Sequence, residues 1–239
     1  RGMKKISCSY IGENFLFPIE EFREKIIKHN PKLIFICNPN NPTGTVLSSQ
    51  EIINLANIKK DSLIIVDELY EKFNGDSLLE LIDFEKNNNI IIIQSLSKTA
   101  GLAGLRIGFT FGNKRLIQYL NKVTGPYDVN SFAVTATLAA LKDKSYVDNY
   151  VFEVKKAREW ILNKFKSTTI RTHFSGGNYF LIWPKKDPKI LIQQMREKGI
   201  LIRSMENKKD IGKSIRVSIG TKEQMIFFWD NYKVLDLIN

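Results

Sequence analysis

Three short runs of apolar residues, separated by helix-length stretches, constrain the fold of this chain of 239 residues more than any other feature. Because these runs are apolar throughout, they are typical of parallel strands buried on both faces of a sheet. Strands that alternate with helices form βαβ units. The sequence therefore predicts an α/β fold, with a mostly parallel sheet flanked by helices. The three runs are Leu33–Cys37, Leu63–Val66 and Ile90–Ile93.

The pattern changes along the chain. An apolar run over 107–111 follows the third strand too closely for a helical crossover, and we expect it to be antiparallel. A long helix is predicted over 146–165, followed by short strands that alternate with helices. The sequence thus predicts a large domain over 1–145, a linker helix over 146–168 and a smaller α+β domain over 169–239.

Composition limits the classes of partner. The formal net charge of +11 comes from lysines scattered over helical faces, which favours a solvated surface over nucleic-acid binding. The apolar runs are far shorter than the roughly 20 residues of a membrane span. Two cysteines and two histidines without ligand spacing predict neither a disulfide framework nor a metal site. With no secretory signal at the start, the expected compartment is the cytoplasm.

Polar side chains follow the third apolar run. Open α/β sheets bind ligands at the carboxyl ends of their strands. Lys98 lies there, and a lysine near a fixed cation and away from water becomes a nucleophile more readily. Ser95, Ser97 and Arg106 are suited to hold a phosphate. A nucleophilic amine beside a phosphate site indicates pyridoxal phosphate, whereas a lone lysine after a strand is more often exposed surface.

The first two apolar runs are also followed by polar motifs. Asn-Pro-Asn-Asn-Pro-Thr-Gly occupies 38–44, where Asn41 is placed to donate its amide to a ring oxygen. Asp67 ends the second run, where a carboxylate keeps a pyridine nitrogen protonated, and Tyr70 reaches the same ring. Taken singly, these motifs also fit a surface turn and an acidic N-cap with a packing tyrosine. Three such groups at successive strand ends favour one site.

Together these motifs resemble those of fold-type I pyridoxal-phosphate enzymes, aminotransferase class I/II, and most closely the histidinol-phosphate aminotransferase group. The resemblance rests on three motifs, which occur in this order: Asn-Pro-Asn-Asn-Pro-Thr-Gly, Asp-Glu-x-Tyr and Ser-x-Ser-Lys-x7-Arg. The resemblance implies that Lys98 links covalently to the cofactor and that Asp67 pairs with its ring nitrogen. It further implies ring-oxygen contacts by Asn41 and Tyr70, and phosphate contacts by Ser95, Ser97 and Arg106.

The same resemblance assigns residues of the smaller domain to the substrate. Arg216 matches the arginine that takes an anionic group of the substrate, and Arg203 and Asn178 match positions near it. A surface arginine at a strand end and a turn asparagine are the alternatives for the latter two. Members of this group carry an N-terminal portion before the counterpart of Met3 that this sequence lacks. Their sites are completed across a subunit interface, so a homodimer is expected.

The expected reaction is transfer of an amino group between a phosphorylated, histidinol-phosphate-like amine and 2-oxoglutarate, as in amino-acid biosynthesis. An alternative is decarboxylation of a phosphorylated amino acid, since segments 129–131 and 201–204 also resemble threonine-phosphate decarboxylases. A third alternative is a non-catalytic binding or regulatory protein that has kept the fold. Intact Lys98, Asp67 and Arg106 argue against it.

Overall fold

The computed structural model describes residues 2–238, and their contacts divide the chain into two compact units. The first unit runs to Asn40 and resumes over Thr45–Ala139. The second consists of Asn41–Gly44 and the residues from Ala140 onward. The long helix near residue 146 therefore belongs to the second unit in this division. The domain limits 1–145, 146–168 and 169–239 remain a prediction.

Four strands form the sheet of the first unit: β1 (Leu33–Cys37), β2 (Leu63–Asp67), β3 (Ile90–Gln94) and β4 (Phe109–Gly112). They are ordered β1-β2-β3-β4. The first three pair in parallel, and β4 runs antiparallel to β3. The predicted mostly parallel sheet and its antiparallel fourth member are thereby confirmed.

Helices and short turns connect these strands. One of them, over residues 49–58, is capped at its N-terminus by Ser48. The hydroxyl of Ser48 accepts a hydrogen bond from the Glu51 backbone N–H, and the Glu51 carboxylate accepts one from the Ser48 N–H. This reciprocal capping satisfies two amides at the helix start. The helices are α1 (Ile19–His29), α2 (Ser49–Ile58), α3 (Glu71–Asn74), α4 (Lys114–Asn121) and α5 (Ser131–Lys142), with 3₁₀ turns at Leu78–Glu80 and Ala103–Leu105.

The core of the first unit lies between α2 and one face of the sheet. Ile52 and Leu55 of α2 pack with Ile64 and Ile92, and none of the four is more than 1% exposed. Burying each such side chain contributes roughly 1.5–3 kcal/mol. In β1, alternate residues face solvent, and Phe35 is 68% exposed. No element among residues 2–238 covers that face.

The second unit has an antiparallel sheet ordered β5-β6-β8-β7. Phe165 anchors its core, with its ring edge-on to Phe180, Trp229 and Tyr232 at centroid distances of 5.8, 5.0 and 5.3 Å. The elements are α6 (Lys144–Lys166), β5 (Arg171–Phe174), β6 (Tyr179–Trp183), α7 (Pro188–Glu197), β7 (Arg203–Ser204), β8 (Ile215–Ser218), α8 (Lys222–Tyr232) and a π-helical turn (Lys233–Leu237). The last α-helix thus changes its hydrogen-bond pattern after Tyr232.

Between residues 2 and 238, no helix combines the length and the apolar character needed to cross a membrane.

Candidate active site

The carboxyl ends of β2 and β3 lie side by side. Asp67 is in register with Ile93, and the Glu68 N–H donates to the Ile93 carbonyl at 2.8 Å. The chain leaves β3 at Gln94 and continues directly into Ser95. The parallel pairing therefore brings the Asp67 segment and the Ser95 segment to one edge of the sheet, as expected from the sequence.

Lys98 and Tyr70 face each other at this edge. Tyr70 is buried, with 3% of its surface exposed, and Lys98 Nζ lies 5.9 Å from the centroid of its ring. Asp67, half-buried, accepts a hydrogen bond from the Leu69 N–H at 3.1 Å. Lys98 is itself half-buried and forms no ion pair with any residue from 2 to 238. An amine in this position is held by an aromatic face rather than by a carboxylate.

The serines and Arg106 form the second part of the edge. Ser95 Oγ lies 2.7 Å from Ser97 Oγ and donates to the Ile107 carbonyl at 2.8 Å. This bond ties the loop after β3 to the residue that follows Arg106. Arg106 adopts a left-handed conformation, with φ of 56°, and Nη1 donates to the Ala103 carbonyl at 2.9 Å.

A phosphate group fits these residues. A guanidinium carries five N–H donors, and the Ala103 carbonyl is the one acceptor that Arg106 uses within the described chain. The remaining guanidinium donors suit the acceptor oxygens of a phosphate, and the two serine hydroxyls could join them after turning away from each other and from the Ile107 carbonyl. Lys98 could bind an aldehyde, Asp67 could bind a ring nitrogen, and these donors could bind a phosphate. Together they match the groups of pyridoxal phosphate.

Sequence reasoning missed Glu68, which is completely buried beside Asp67. Its carboxylate accepts from Ser77 Oγ at 2.8 Å, from the Leu78 N–H at 2.7 Å and from Gln94 Nε2 at 2.8 Å. These bonds join the end of β2 to the end of β3 and to the 3₁₀ turn. A glutamate directly after a buried strand was the available signal, because such a carboxylate needs partners.

Glu71 is a second buried carboxyl in this region, 7% exposed. Burial, with a smaller effect from the charge of Glu68, raises its pKa from the ordinary 4.5 to about 7. The folded state therefore binds this proton more tightly than the unfolded chain does. Its stabilising contribution is complete below about pH 4.5 and is lost as the pH rises to about 7.

Replacing this carboxyl by a neutral amide tests that linkage. We expect Glu71→Gln to reduce the fall in the free energy of unfolding between about pH 5 and pH 8 by on the order of 2–3 kcal/mol. Hydrogen exchange of the β2 and β3 amides across this pH range measures the effect, and the exposed Glu80→Gln is the control. An unchanged pH dependence in Glu71→Gln would refute the assignment.

Asn38 organises the loop after β1, another role that sequence reasoning did not assign. Its buried amide donates to the Leu47 carbonyl at 2.9 Å and accepts from the Leu47 N–H at 2.8 Å. The Asn38 N–H in turn donates to the Asp67 carbonyl at 2.9 Å. The first asparagine of the motif thus closes the loop.

Asn41 contacts Arg216 within the second unit. Arg216 Nη1 donates to Asn41 Oδ1 at 2.6 Å, and the guanidinium lies 5.1 Å from the centroid of the Tyr179 ring. Arg216 Nε is buried and has no hydrogen-bond partner among residues 2–238. A buried donor of this kind is costly unless an acceptor reaches it.

The other two residues of the predicted substrate group lie on either side of Arg216 in the same sheet. Arg203, exposed on β7, is the cross-strand partner of Arg216. Asn178 immediately precedes β6, and its carbonyl accepts from the Ile219 N–H at 2.7 Å. The structure therefore gathers the predicted residues into two groups. Asp67, Tyr70, Ser95, Ser97, Lys98 and Arg106 are in the first unit, and Asn41, Asn178, Arg203 and Arg216 are in the second.

A mostly parallel sheet with lysine, acid and serine side chains at its carboxyl edge defines the class of fold-type I pyridoxal-phosphate proteins. The chain belongs to the aminotransferase class I and II family, which it matches over residues 1–226. The fold class and the family predicted from the motifs are confirmed.

Two relatives illustrate this membership. The chain is 32% identical over 226 residues to a histidinol-phosphate aminotransferase of Thermoanaerobacter pseudethanolicus, covering 94% of this chain and 63% of the relative. It is 34% identical over 233 residues to a histidinol-phosphate aminotransferase of Clostridium botulinum, covering 96% of this chain and 63% of the relative. The chain therefore spans less than two thirds of the length of these proteins.

Solved structures show the same fold. Histidinol-phosphate aminotransferase from Clostridium acetobutylicum superposes with a TM-score of 0.84 at 25% identity, covering 95% of this chain and 70% of that one. L-threonine-O-3-phosphate decarboxylase from Porphyromonas gingivalis superposes with a TM-score of 0.79 at 25% identity, covering 91% of this chain and 68% of that one. Both reactions considered from the sequence are thus represented among proteins of this fold.

Proposed function

We propose that this chain is the catalytic part of a pyridoxal-phosphate-dependent aminotransferase. It would move an amino group between a phosphorylated, histidinol-phosphate-like amine and 2-oxoglutarate. The observation that carries the proposal is the Lys98 amine above the Tyr70 ring, on the sheet edge that also presents Asp67 and the paired serines. Relatives that are histidinol-phosphate aminotransferases support the choice of reaction.

Six residues of the first unit would hold the cofactor. Asp67 holds a proton on the ring nitrogen, and Ser95, Ser97 and Arg106 bind the phosphate. Tyr70 would contact the ring oxygen. When bound, pyridoxal phosphate supplies an electron sink for the bonds at the substrate's α-carbon.

Lys98 would move the proton. Once its Nζ is free, a half-buried amine at the sheet edge can take a proton from the substrate's α-carbon and deliver it elsewhere, as a general base and then an acid. The Tyr70 ring limits the positions that Nζ can adopt. Asp67 would thus keep the ring nitrogen protonated, whereas Lys98 would transfer the proton of the substrate's α-carbon.

Arg216 would take an anionic group of the substrate, with Arg203 and Asn178 nearby. A guanidinium binds a carboxylate or phosphate through two parallel N–H bonds. Asn41 occupies one Nη, whereas the buried Nε lacks a partner in the described chain. The edge that includes Nε is therefore suited to donate hydrogen bonds to a substrate oxygen.

The full chain, mixed with pyridoxal phosphate, tests the proposal. We expect a yellow protein that borohydride bleaches, with the cofactor then attached to Lys98. Histidinol phosphate, phosphothreonine and phosphoserine are each offered with 2-oxoglutarate, and glutamate and carbon dioxide are measured. Glutamate formation supports amino transfer. A colourless protein that takes up no cofactor would contradict the enzyme and leave the non-catalytic alternative.

Decarboxylation of a phosphorylated amino acid is the second candidate. The likeness to L-threonine-O-3-phosphate decarboxylase favours it, together with Arg203 and Ser204 in β7. The same cofactor serves both reactions, and the bond held perpendicular to the ring decides which one occurs. In the assay above, carbon dioxide without glutamate would identify this reaction instead.

The bidentate role of Arg216 predicts a specific effect of a conservative change. Arg216→Lys keeps the positive charge but removes the fork, so we expect the KM for 2-oxoglutarate to rise roughly 10- to 100-fold. Steady-state kinetics measure the change. The exposed Arg196→Lys serves as the matched control in the same unit. An unaltered KM would remove Arg216 from the binding site.

We also propose that the protein is a homodimer in the cytoplasm. Exposed apolar side chains on α5, among them Phe132 at 83% and Leu138 at 54%, support a second subunit. Free thiols at Cys8 and Cys37 suit a reducing compartment. Light scattering of the purified chain measures the subunit number, and a monomeric mass at micromolar concentration would contradict the dimer.

A further inference from the structure

Arg158 holds the loop between β5 and β6. It projects from α6, and its Nη1 donates to the Ser175 carbonyl at 2.8 Å and to the Gly177 carbonyl at 3.2 Å. The guanidinium is half-buried, and burial lowers its pKa from the ordinary value. An arginine that donates to two carbonyls of one short loop restricts the conformation of that loop.

The loop in turn holds Gly44. Ser175 Oγ and the Gly176 N–H both donate to the Gly44 carbonyl, at 2.8 and 2.9 Å. The contact is close, since a Cβ on Gly44 would lie 2.9 Å from the Ser175 Cβ. Gly44 also has a φ of +74°, which only glycine adopts without strain. The backbone at this point is therefore fixed by both hydrogen bonding and shape.

Asn41 lies three residues before Gly44 and accepts the 2.6 Å hydrogen bond from Arg216. Hydrogen bonds thus link Arg158 to the loop and the loop to Gly44, and three residues of backbone connect Gly44 to the residue that contacts the Arg216 guanidinium. Every member belongs to the second unit. The other end of the held loop, Gly177, is followed directly by Asn178.

We propose that Arg158 is a positioning residue that sets the affinity of Arg216 for a carboxylate, acting through Ser175, Gly44 and Asn41. The proposal rests on the anion-binding role assigned to Arg216 above. When the loop loses its Arg158 donor, Gly44 and Asn41 shift, and the Arg216 guanidinium is no longer held in a single orientation. Because Arg158 contacts loop carbonyls, its loss is expected to change anion binding by Arg216 through the loop.

Calorimetric titration of the full chain with glutarate, an unreactive dicarboxylate, tests this. We expect Arg216→Met to weaken glutarate binding at least about tenfold, Arg158→Met about fivefold and Arg158→Lys, which keeps a donor, about twofold. The exposed Arg196→Met is the control and leaves the Kd unchanged. In the Arg158→Met/Arg216→Met double variant, the Kd should equal that of Arg216→Met, because the two residues act through one group.

The outcomes separate the two levels of the proposal. If Arg216→Met binds glutarate as the parent does, the anion-binding role of Arg216 fails. If Arg216→Met weakens binding but Arg158→Met does not, or if the two effects add in the double variant, the positioning role of Arg158 is refuted. Should Arg158→Met not fold, Arg158→Lys and Ser175→Ala decide. Each is expected to weaken binding about twofold to threefold, and parent-like affinity in both would overturn the inference.

Discussion

Replacing Lys98 by alanine is expected to lower the rate of amino transfer by about 10⁴-fold, at the upper end of general acid–base effects. The reason is that Lys98 presents its amine over the Tyr70 ring at the carboxyl edge of the sheet. Single-turnover absorbance measurements with excess amine substrate report the loss.

The control for Lys98→Ala is Lys114→Ala, which removes an exposed lysine of the same unit. We expect it to retain the parent rate. Borohydride treatment followed by peptide mass mapping adds a readout that is independent of turnover: the cofactor should label Lys98 in the parent and in Lys114→Ala. Labelling of another lysine at parent levels in Lys98→Ala would contradict the assignment of Lys98.

Replacing Glu68 by alanine is expected to lower the free energy of unfolding of the first unit by about 4 kcal/mol. The change leaves the Ser77 hydroxyl and the Leu78 N–H without their acceptor, whereas the half-buried Gln94 amide keeps Ser77 Oγ, 3.2 Å away. Each buried donor without a partner costs roughly 1–3 kcal/mol, and partial relaxation reduces the sum. The three tryptophans, at 160, 183 and 229, all lie in the second unit. Hydrogen exchange of the β2 and β3 amides is therefore the appropriate measurement.

Two further variants sharpen this second prediction. Glu80→Ala removes an exposed glutamate from the adjoining 3₁₀ turn and should change stability by less than about 0.5 kcal/mol. In Glu68→Gln/Gln94→Glu, the amide and the carboxylate exchange places, so the pair can still hydrogen-bond. We expect the double variant to be more stable than Glu68→Ala. A loss below about 1 kcal/mol in Glu68→Ala would show that these contacts do not hold the strand ends together.

Much of the fold could be predicted from the sequence because its signals are local. The apolar runs of β1, β2 and β3 lie where they were expected, and Ser48 caps α2 through a glutamate three residues away. The elements that were not predicted have weak local signals. β5, with the sequence Arg-Thr-His-Phe, forms a strand by pairing with β6. α1 follows Pro18, which supplies no side-chain cap.

The candidate site divides in the same way. Lys98, Asp67 and the serines could be predicted because each follows an apolar strand within a few residues. The burial of Glu68 could not, since its acceptor role depends on Gln94, which lies 26 residues along the chain. A lone glutamate is ordinarily exposed, and only tertiary partners make its burial favourable.

The strands along the chain and the chemical groups at their ends follow from apolar runs and short motifs, because such patterns act over a few residues. Which of those groups touch depends on the folded chain. Asn41 is the clearest case, since its motif follows β1 but its partner Arg216 lies 175 positions away. Gly44, in turn, is held by Ser175, 131 positions away. The physical reason is that a hydrogen bond depends on distance in space, and the folded chain alone sets that distance.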